Sequence, residues 1–341
     1  MDSFQSIESI GRDALLKEIN SSNEHQNPNI VRKIGDDAAV ILEGDESFTL
    51  LSSETYVEGV DFDLTYSPFN HLGYKLLSNA ISDIYAMNGK PVAATINLSL
   101  PNKLSVQMVK DLYAGFYSAA FKHGAEVVGG DLNGSHSNLV ISISVYGKVS
   151  EDAITYRTGA QVGDAICVSG DLGGAIAGLR VLMREKKYWE EHNRDAVQPD
   201  LSDYEYVVRR QLVSEARKDV VDALAEIEIV PTSMIDITKG LSHELLELTS
   251  ASKTGAYIYQ AALPVAIETR QVADEMEEDA DKYAFFGGED LELLFTLPKE
   301  EIEKFGKHFN DFVVIGRIAE ESEGIQIQTG EGNIISIDEL S

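Results

Sequence analysis

Ser67-Pro68-Phe69-Asn70-His71-Leu72-Gly73-Tyr74-Lys75-Leu76-Leu77-Ser78-Asn79-Ala80-Ile81-Ser82-Asp83-Ile84-Tyr85-Ala86-Met87 is the stretch on which the reading of this chain turns. Ser67 as N-cap and Pro68 at the first helical position open a helix. It is predicted to run to about Met87 and to stop at Asn88-Gly89. Asn79 and Asp83 are four residues apart and share one face. Asp83 sits inside an otherwise apolar run, which argues against a solvated face and for a ligand role.

Outward from that helix, apolar residues at near-helical spacing (Phe4, Ile7, Ile10, Leu16, Ile19) predict an N-terminal amphipathic helix. Two strands follow, Ala38 to Leu42 and Phe48 to Leu51, the second ending in Ser52-Ser53-Glu54. Beyond the central helix come a strand near Val92 to Leu98 and a helix from Ser105 to His123 ended by Gly124. A short strand at Glu126 to Val128 is predicted to deliver Gly129-Gly130-Asp131 at its end, before a strand from Leu139 to Gly147. Tyr156 to Asp164 reads as a linker. The second half offers strands at Ala165 to Ser169, Met234 to Ile237, Leu291 to Leu297 and Phe312 to Ile318. Helices are predicted after Gly174, within Tyr204 to Leu224, at Leu241 to Thr249 and over the charged stretch Asp274 to Asp281. Strands and helices mix without strict alternation, which favours α+β over a doubly wound sheet. A chain of 341 residues suits two domains, taken as 1–150 and 151–341.

Acidic residues recur beside Gly, Ser and Thr: Gly35-Asp36-Asp37, Ser52-Ser53-Glu54, Ser82-Asp83, Gly129-Gly130-Asp131 and Gly287-Gly288-Glu289-Asp290. Such segments supply hard oxygen ligands, which suit Mg²⁺ held by a few carboxylates and a substrate's phosphates. Asp36 and Asp131 also fit turn positions, and Tyr113 fits a core helix face. Gly173-Gly174 fits either a phosphate cradle at a helix start or a tight strand-to-helix turn.

The net charge of −29 argues against nucleic acid or an anionic membrane as partner. The lone cysteine, Cys167, lies in an apolar run and reads as core. No segment is apolar and long enough to span a bilayer and no leader pattern opens the chain, so a cytoplasmic location is expected.

Seven segments, in order, resemble those of the thiamine-monophosphate kinases, relatives of aminoimidazole-ribotide synthetase and selenide, water dikinase. They are Ile34-Gly35-Asp36-Asp37-Ala38-Ala39-Val40, Val57-Glu58-Gly59-Val60-Asp61-Phe62, Asn79 to Met87, Val128-Gly129-Gly130-Asp131, Tyr156-Arg157-Thr158-Gly159-Ala160, Ile235-Asp236-Ile237-Thr238-Lys239-Gly240-Leu241 and Gly287-Gly288-Glu289-Asp290-Leu291-Glu292-Leu293-Leu294-Phe295. The resemblance implies a two-domain aminoimidazole-ribotide-synthetase-like fold. It also implies a homodimer pairing through the N-terminal half, and direct Mg²⁺-assisted transfer of the γ-phosphoryl of ATP to thiamine monophosphate.

By the same resemblance Asp37, Asp83, Asp131 and Asp236 are metal ligands, with Ser52, Ser53 and Glu54 at the same cluster. Asp37, Tyr113, Gly130, Asp131, Arg157, Thr238 and Lys239 border ATP. Asp61 and Glu289 face the thiamine substrate. No side chain is expected to act as acid or base, because phosphoryl transfer needs alignment and charge neutralisation. The chain departs from the family pattern at Lys239 (usually Asp), Glu54 (usually Asp) and Asp61 (usually His), and lacks the aromatic tail common in relatives. Two other readings stay open. One is a different ATP-dependent enzyme of the superfamily; against a selenide enzyme, no cysteine stands near the N-terminus. The other is a noncatalytic acidic metal- or ligand-binding homologue.

Overall fold

The computed structural model describes residues 6–21, 27–44, 47–192 and 200–340. After α1 (Ile7–Ile10) and α2 (Arg12–Ser21), the first sheet holds β1 (Ile30–Arg32), β2 (Ala39–Leu42), β3 (Ser47–Val57), β4 (Lys90–Pro101), β5 (Glu126–Ser135) and β6 (Val140–Ser150), in the order β1-β2-β3-β6-β4-β5. Strands β4 and β5 run parallel and the other pairs antiparallel. α3 (Phe69–Ala86) and α4 (Val106–His123) bury their apolar faces against Leu50, Ile96, Ile141, Ile143 and Val145.

The second sheet holds β7 (Ala165–Ser169), β8 (Ser233–Ile237), β9 (Gly255–Tyr259), β10 (Glu292–Leu297), β11 (Phe312–Ala319), β12 (Ile325–Gln328) and β13 (Ile334–Ser336), in the order β13-β12-β9-β11-β7-β10-β8. Around it lie α5 (Gly174–His192), α6 (Glu205–Leu212), α7 (Lys218–Glu226), α8 (Leu241–Ser252), α9 (Ile267–Glu275), α10 (Ala280–Phe286) and α11 (Lys299–Gly306). Mixed sheets with helices outside strict alternation make the architecture α+β.

Strands β7, β8 and β10 are buried on both faces. Cys167, Met234 and Phe295 join the core of the first sheet, while Ile166, Ile235 and Leu294 point the other way into a second core. α3 lies at this junction, touching β3 and β6 of one sheet and β8 of the other. Burial on both faces explains why these strands read as continuous apolar runs.

Several sequence expectations shift. The N-terminal helix is broken at Gly11, whose φ of +80° ends α1 before α2 begins; Phe4 lies outside the described residues. α3 starts one residue later than predicted, with Pro68 at the cap position and no side-chain cap bond from it. Ser52-Ser53-Glu54 lies inside β3 rather than at a strand end, because β3 keeps pairing with β6 up to Val57↔Val140. β5 likewise continues through Gly129-Gly130-Asp131 to Ser135. A Cβ on Gly130 would stand 1.7 Å from the Ile96 carbonyl oxygen, so the close approach of β5 to β4 requires glycine. The charged stretch after Asp274 is a break between two helices: Glu277 is left-handed (φ +56°), and Asp279 caps α10 by accepting from the Asp281 N–H.

Candidate active site

Three of the sequence-selected carboxylates converge. Asp37 follows the glycine turn before β2, Asp83 lies in the last turns of α3, and Asp236 is on β8. One oxygen from each lies within 4.8 Å of the others. Asp83 and Asp236 are buried, at 8% and 3% exposure. Burial pushes the Asp37 carboxyl up to about 6, against the pull of Arg157. Asp83 and Asp236 are raised well above the usual carboxylate range, by burial first and then by nearby carboxylates, Asp236 acting on Asp83 and Asp37 on Asp236. Asp37 Oδ2 is buried with no hydrogen-bond partner, and Asp236 has the Ser82 hydroxyl beside it. Buried oxygens left unpaired beside like charges are costly unless a cation joins them. The donor set is all oxygen, and it fits Mg²⁺.

One guanidinium already touches this cluster. Arg157 Nη2 and Nε donate to Asp37 Oδ1 at 2.6 and 3.2 Å, Arg157 N donates to Asp36 Oδ1, and Nη1 reaches Glu247 at 3.4 Å. The stretch read as a linker therefore ties the first sheet's edge to α8. Asp36 Oδ1 accepts from both Arg157 N and Asp37 N, as its turn position implied.

Ser52 and Glu54 point to the inner face of β3. Ser52 is buried and donates to the Ala80 carbonyl. Glu54 is raised by burial and relieved by the positive charge of Lys239. Ser53 faces the other way, bonded across the ladder to Ser144 at 3.1 Å. Asp131 shares that outer face. It pairs in register with Asn97, which pairs with Ser142 and through it with Thr55, while Gly130 is in register with Glu54's row. Asp131 is exposed and accepts from the Leu132 N–H; it is not among the carboxylates that converge. Tyr113, on α4, packs edge-on against Phe116 at 5.6 Å at the border of the core.

Two glycine segments frame a second recess. Glu289 N donates to the Thr238 carbonyl and Leu291 N to the Ile237 carbonyl, so the Gly287–Leu291 loop lies over the end of β8. Gly288, Glu289 and Leu291 all have positive φ (75°, 60° and 57°). A non-glycine residue there is strained and is held by its surroundings. This loop presents Glu289 to a cavity of about 390 Å³ lined also by Asp61, Phe62, Lys75, Met183 and Gln211. Lys75 Nζ lies 2.9 Å from Glu289 Oε2, and Gln211 Nε2 donates to the same oxygen at 3.2 Å. Asp61 is held by the Val57 N–H at 2.7 Å. The loop that carries Glu289 into the cavity is bonded to Thr238, two residues beyond Asp236, so the cavity wall and the cluster meet at the end of β8.

Gly173-Gly174 proves to be the tight turn. Gly173 N and Ala175 N, at the start of α5, donate to Asp290 at 2.7 and 3.0 Å, so an internal carboxylate occupies the place open to a phosphate.

Sequence reasoning passed over Glu244. It is buried in the first turn of α8 and accepts from Lys239 N at 2.9 Å and Thr238 N at 3.4 Å, fixing the loop that follows Asp236. An acid in the first turn of a helix that opens after Gly240 is the signal that could have found it. Lys75 was also missed, although it lies four residues before Asn79 and eight before Asp83 on one helix face.

The two-sheet architecture and its buried carboxylate site define the AIR synthase related class. The model of the AIR synthase related protein N-terminal domain matches residues 35–149, and that of the C-terminal domain matches 161–328. Thiamine-monophosphate kinase of Aquifex aeolicus (strain VF5) is 34% identical over 292 residues, covering 86% of this chain and 88% of the relative. That of Bacillus subtilis (strain 168) is 31% identical over 270 residues, covering 79% and 78%. The structure described as AaThiL complexed with AMPPCP and TMP superposes with a TM-score of 0.82 at 30% identity, covering 97% of each chain. This chain belongs to the thiamine-monophosphate kinase family.

Proposed function

We infer that this chain is an ATP-dependent kinase that phosphorylates thiamine monophosphate to thiamine diphosphate. The observation that carries the reading is the meeting of Asp37, Asp83 and Asp236 beside the cavity that holds Asp61 and Glu289, in a chain of this family. Asp37, Asp83 and Asp236 would hold Mg²⁺, with Glu54 and Ser52 nearby. The metal would neutralise charge on the transferring phosphoryl group.

The chain's own residues bind and orient. Arg157 fixes Asp37, Glu244 fixes the Thr238–Lys239 loop, and Glu289 with Asp61 offers negative charge to the thiamine cation. No side chain need act as a base, because a phosphate monoester is already an anionic nucleophile. The residue roles assigned to Gly130, Asp131, Tyr113 and Ser53 need a further surface. They lie on β5, α4 and the outer face of the first sheet. β5 is an edge strand exposing Val128 and Leu132 at 61% and 60%. An unpaired apolar edge suits a second copy of the chain, which supports a homodimer through this half. Among the described residues no helix is long and apolar enough to cross a membrane.

The test is direct. Purified protein given ATP, thiamine monophosphate and Mg²⁺ should form ADP and thiamine diphosphate one for one, and excess chelator should stop it. No thiamine diphosphate under these conditions would overturn the reading. Light scattering on Val128→Arg beside the unaltered protein tests the dimer, which the charge should split.

A further inference from the structure

We propose that Lys75 recognises the phosphate of the acceptor, and that Glu289 holds it ready by an ion pair which the acceptor's own cation replaces. The inference rests on the kinase reading above and names the polar logic of its acceptor cavity.

Lys75 is the one buried lysine among the described residues, at 6% exposure. It is also the one cationic side chain on the wall of the 390 Å³ cavity, which otherwise carries Asp61, Asp63 and Glu289. In a chain of net charge −29, such a wall without its lysine would repel a phosphate monoester. The ammonium lies 2.9 Å from Glu289 Oε2, and Gln211 supports the same oxygen at 3.2 Å. Glu289 is more open than its partner, with 33% side-chain exposure against 8%. An incoming cation therefore meets Glu289 first.

The acceptor carries a fixed ring cation and a phosphate within one small molecule. The cavity offers the mirror arrangement, one carboxylate and one ammonium in contact. When the ring cation pairs with Glu289, Lys75 loses its counter-charge and gains the phosphate instead. Two ion pairs replace one, and no charge is left buried alone, the outcome that would otherwise be expensive. A compact ammonium with three donors suits a phosphate whose orientation must stay free to turn toward a second phosphate.

The helix adds direction. Lys75, Asn79 and Asp83 recur along one face of α3, so the cavity and the carboxylate cluster are marked off about 12 Å apart on one rigid element. An acceptor laid along that face has its anionic end between the lysine and the cluster.

Calorimetric titration of thiamine and of thiamine monophosphate, without nucleotide, tests this on the whole chain. The unaltered protein should prefer the monophosphate. Lys75→Met should lose about tenfold to a hundredfold in affinity for it. Thiamine affinity should hold or improve, so the preference collapses. Lys75→Arg should keep part of the preference, and Glu289→Gln should weaken both ligands. An unchanged preference in Lys75→Met, or an equal loss for both ligands, overturns the proposal, since a merely structural lysine would act on both alike. Should Lys75→Met not fold, inorganic phosphate serves with the unaltered protein: it should compete with the monophosphate and not with thiamine, and failure to compete overturns the proposal. If the unaltered protein transfers no phosphate to thiamine monophosphate, the kinase reading itself fails, a separate outcome.

Discussion

Two groups of buried carboxylates sit in this molecule, and they are finished differently. Asp290 and Glu292, on and beside β10, are fully partnered. Asp290 takes two N–H groups at the start of α5, and Glu292 takes Ser169 at 2.7 Å, Arg210 at 3.0 Å and Arg217. Of Asp37, Asp83 and Asp236, only Asp37 is bonded to a guanidinium, and its Oδ2 is left without a partner. Both groups are buried, and burial raises the acids in both. The difference lies in satisfaction. Where arginines and amides complete the shell, the acids hold structure together. Where the shell is left open, the acids are the ones proposed above to hold Mg²⁺.

The comparison can be broken from its structural side first. Arg217→Met leaves Glu292 short of one charge partner in a buried network, and removing one member of such a pair typically costs about 3–5 kcal/mol. Urea unfolding should show that loss, and a shift below about 1 kcal/mol would mean the paired cluster is no structural device.

On the open side the expected effect is catalytic. Asp83→Asn or Asp236→Asn should lower the rate of phosphoryl transfer by about 10²–10³. Thermal melts in chelator should show stability kept or raised, because one of several crowded like charges is gone. A variant that keeps its rate, or that is strongly destabilised in chelator, would erase the distinction between the two groups.

A smaller effect sharpens the contrast near the paired cluster. His123 is 3% exposed, its Nδ1 is 3.2 Å from the Tyr85 hydroxyl, and its Nε2 has no partner. Burial, aided by Lys122 and Lys218 against Glu215, lowers it from 6.5 to about 4. Between those values the unfolded chain binds the extra proton, so stability is full above about pH 6.5 and is lost as pH falls toward 4. The loss is on the order of 2 kcal/mol. Denaturant titrations at pH 7 and pH 4.5 should show it, and His123→Gln should flatten it. Equal pH dependence in both proteins would show that His123 is not the group responsible.

Much of the site was legible because its residues are marked locally. Asp83 stands out as a charge in an apolar helix, and Asp37 and Asp236 sit beside glycine turns or in a buried strand. What the sequence did not carry was pairing. Ser53 and Asp131 belong to motifs whose neighbours Glu54 and Gly130 look inward, and strand alternation sends them outward. The polar outer face of β3 hid its continuation past Leu51, since Ser53 and Thr55 find partners in Ser144 and Ser142, far along the chain. Glu244 and Lys75 were hidden for a related reason. Each looks like an ordinary surface charge on a helix, until the Thr238–Lys239 loop folds onto Glu244 and the opposite half of the protein closes over Lys75.

The three strands buried on both faces carry a consequence for how the chain can be cut. Cys167, Met234 and Phe295 fill the first core and Ile166, Ile235 and Leu294 the second, alternating along β7, β8 and β10. A fragment starting near residue 160 would bare one whole side of that sheet, and the remaining fragment would lose the floor under α3. A cut between the two halves is therefore expected to bare apolar surface on both pieces, so each half made alone should be less soluble than the whole chain, and a single shared melting transition in the whole chain is the outcome that would show the two cores to be coupled.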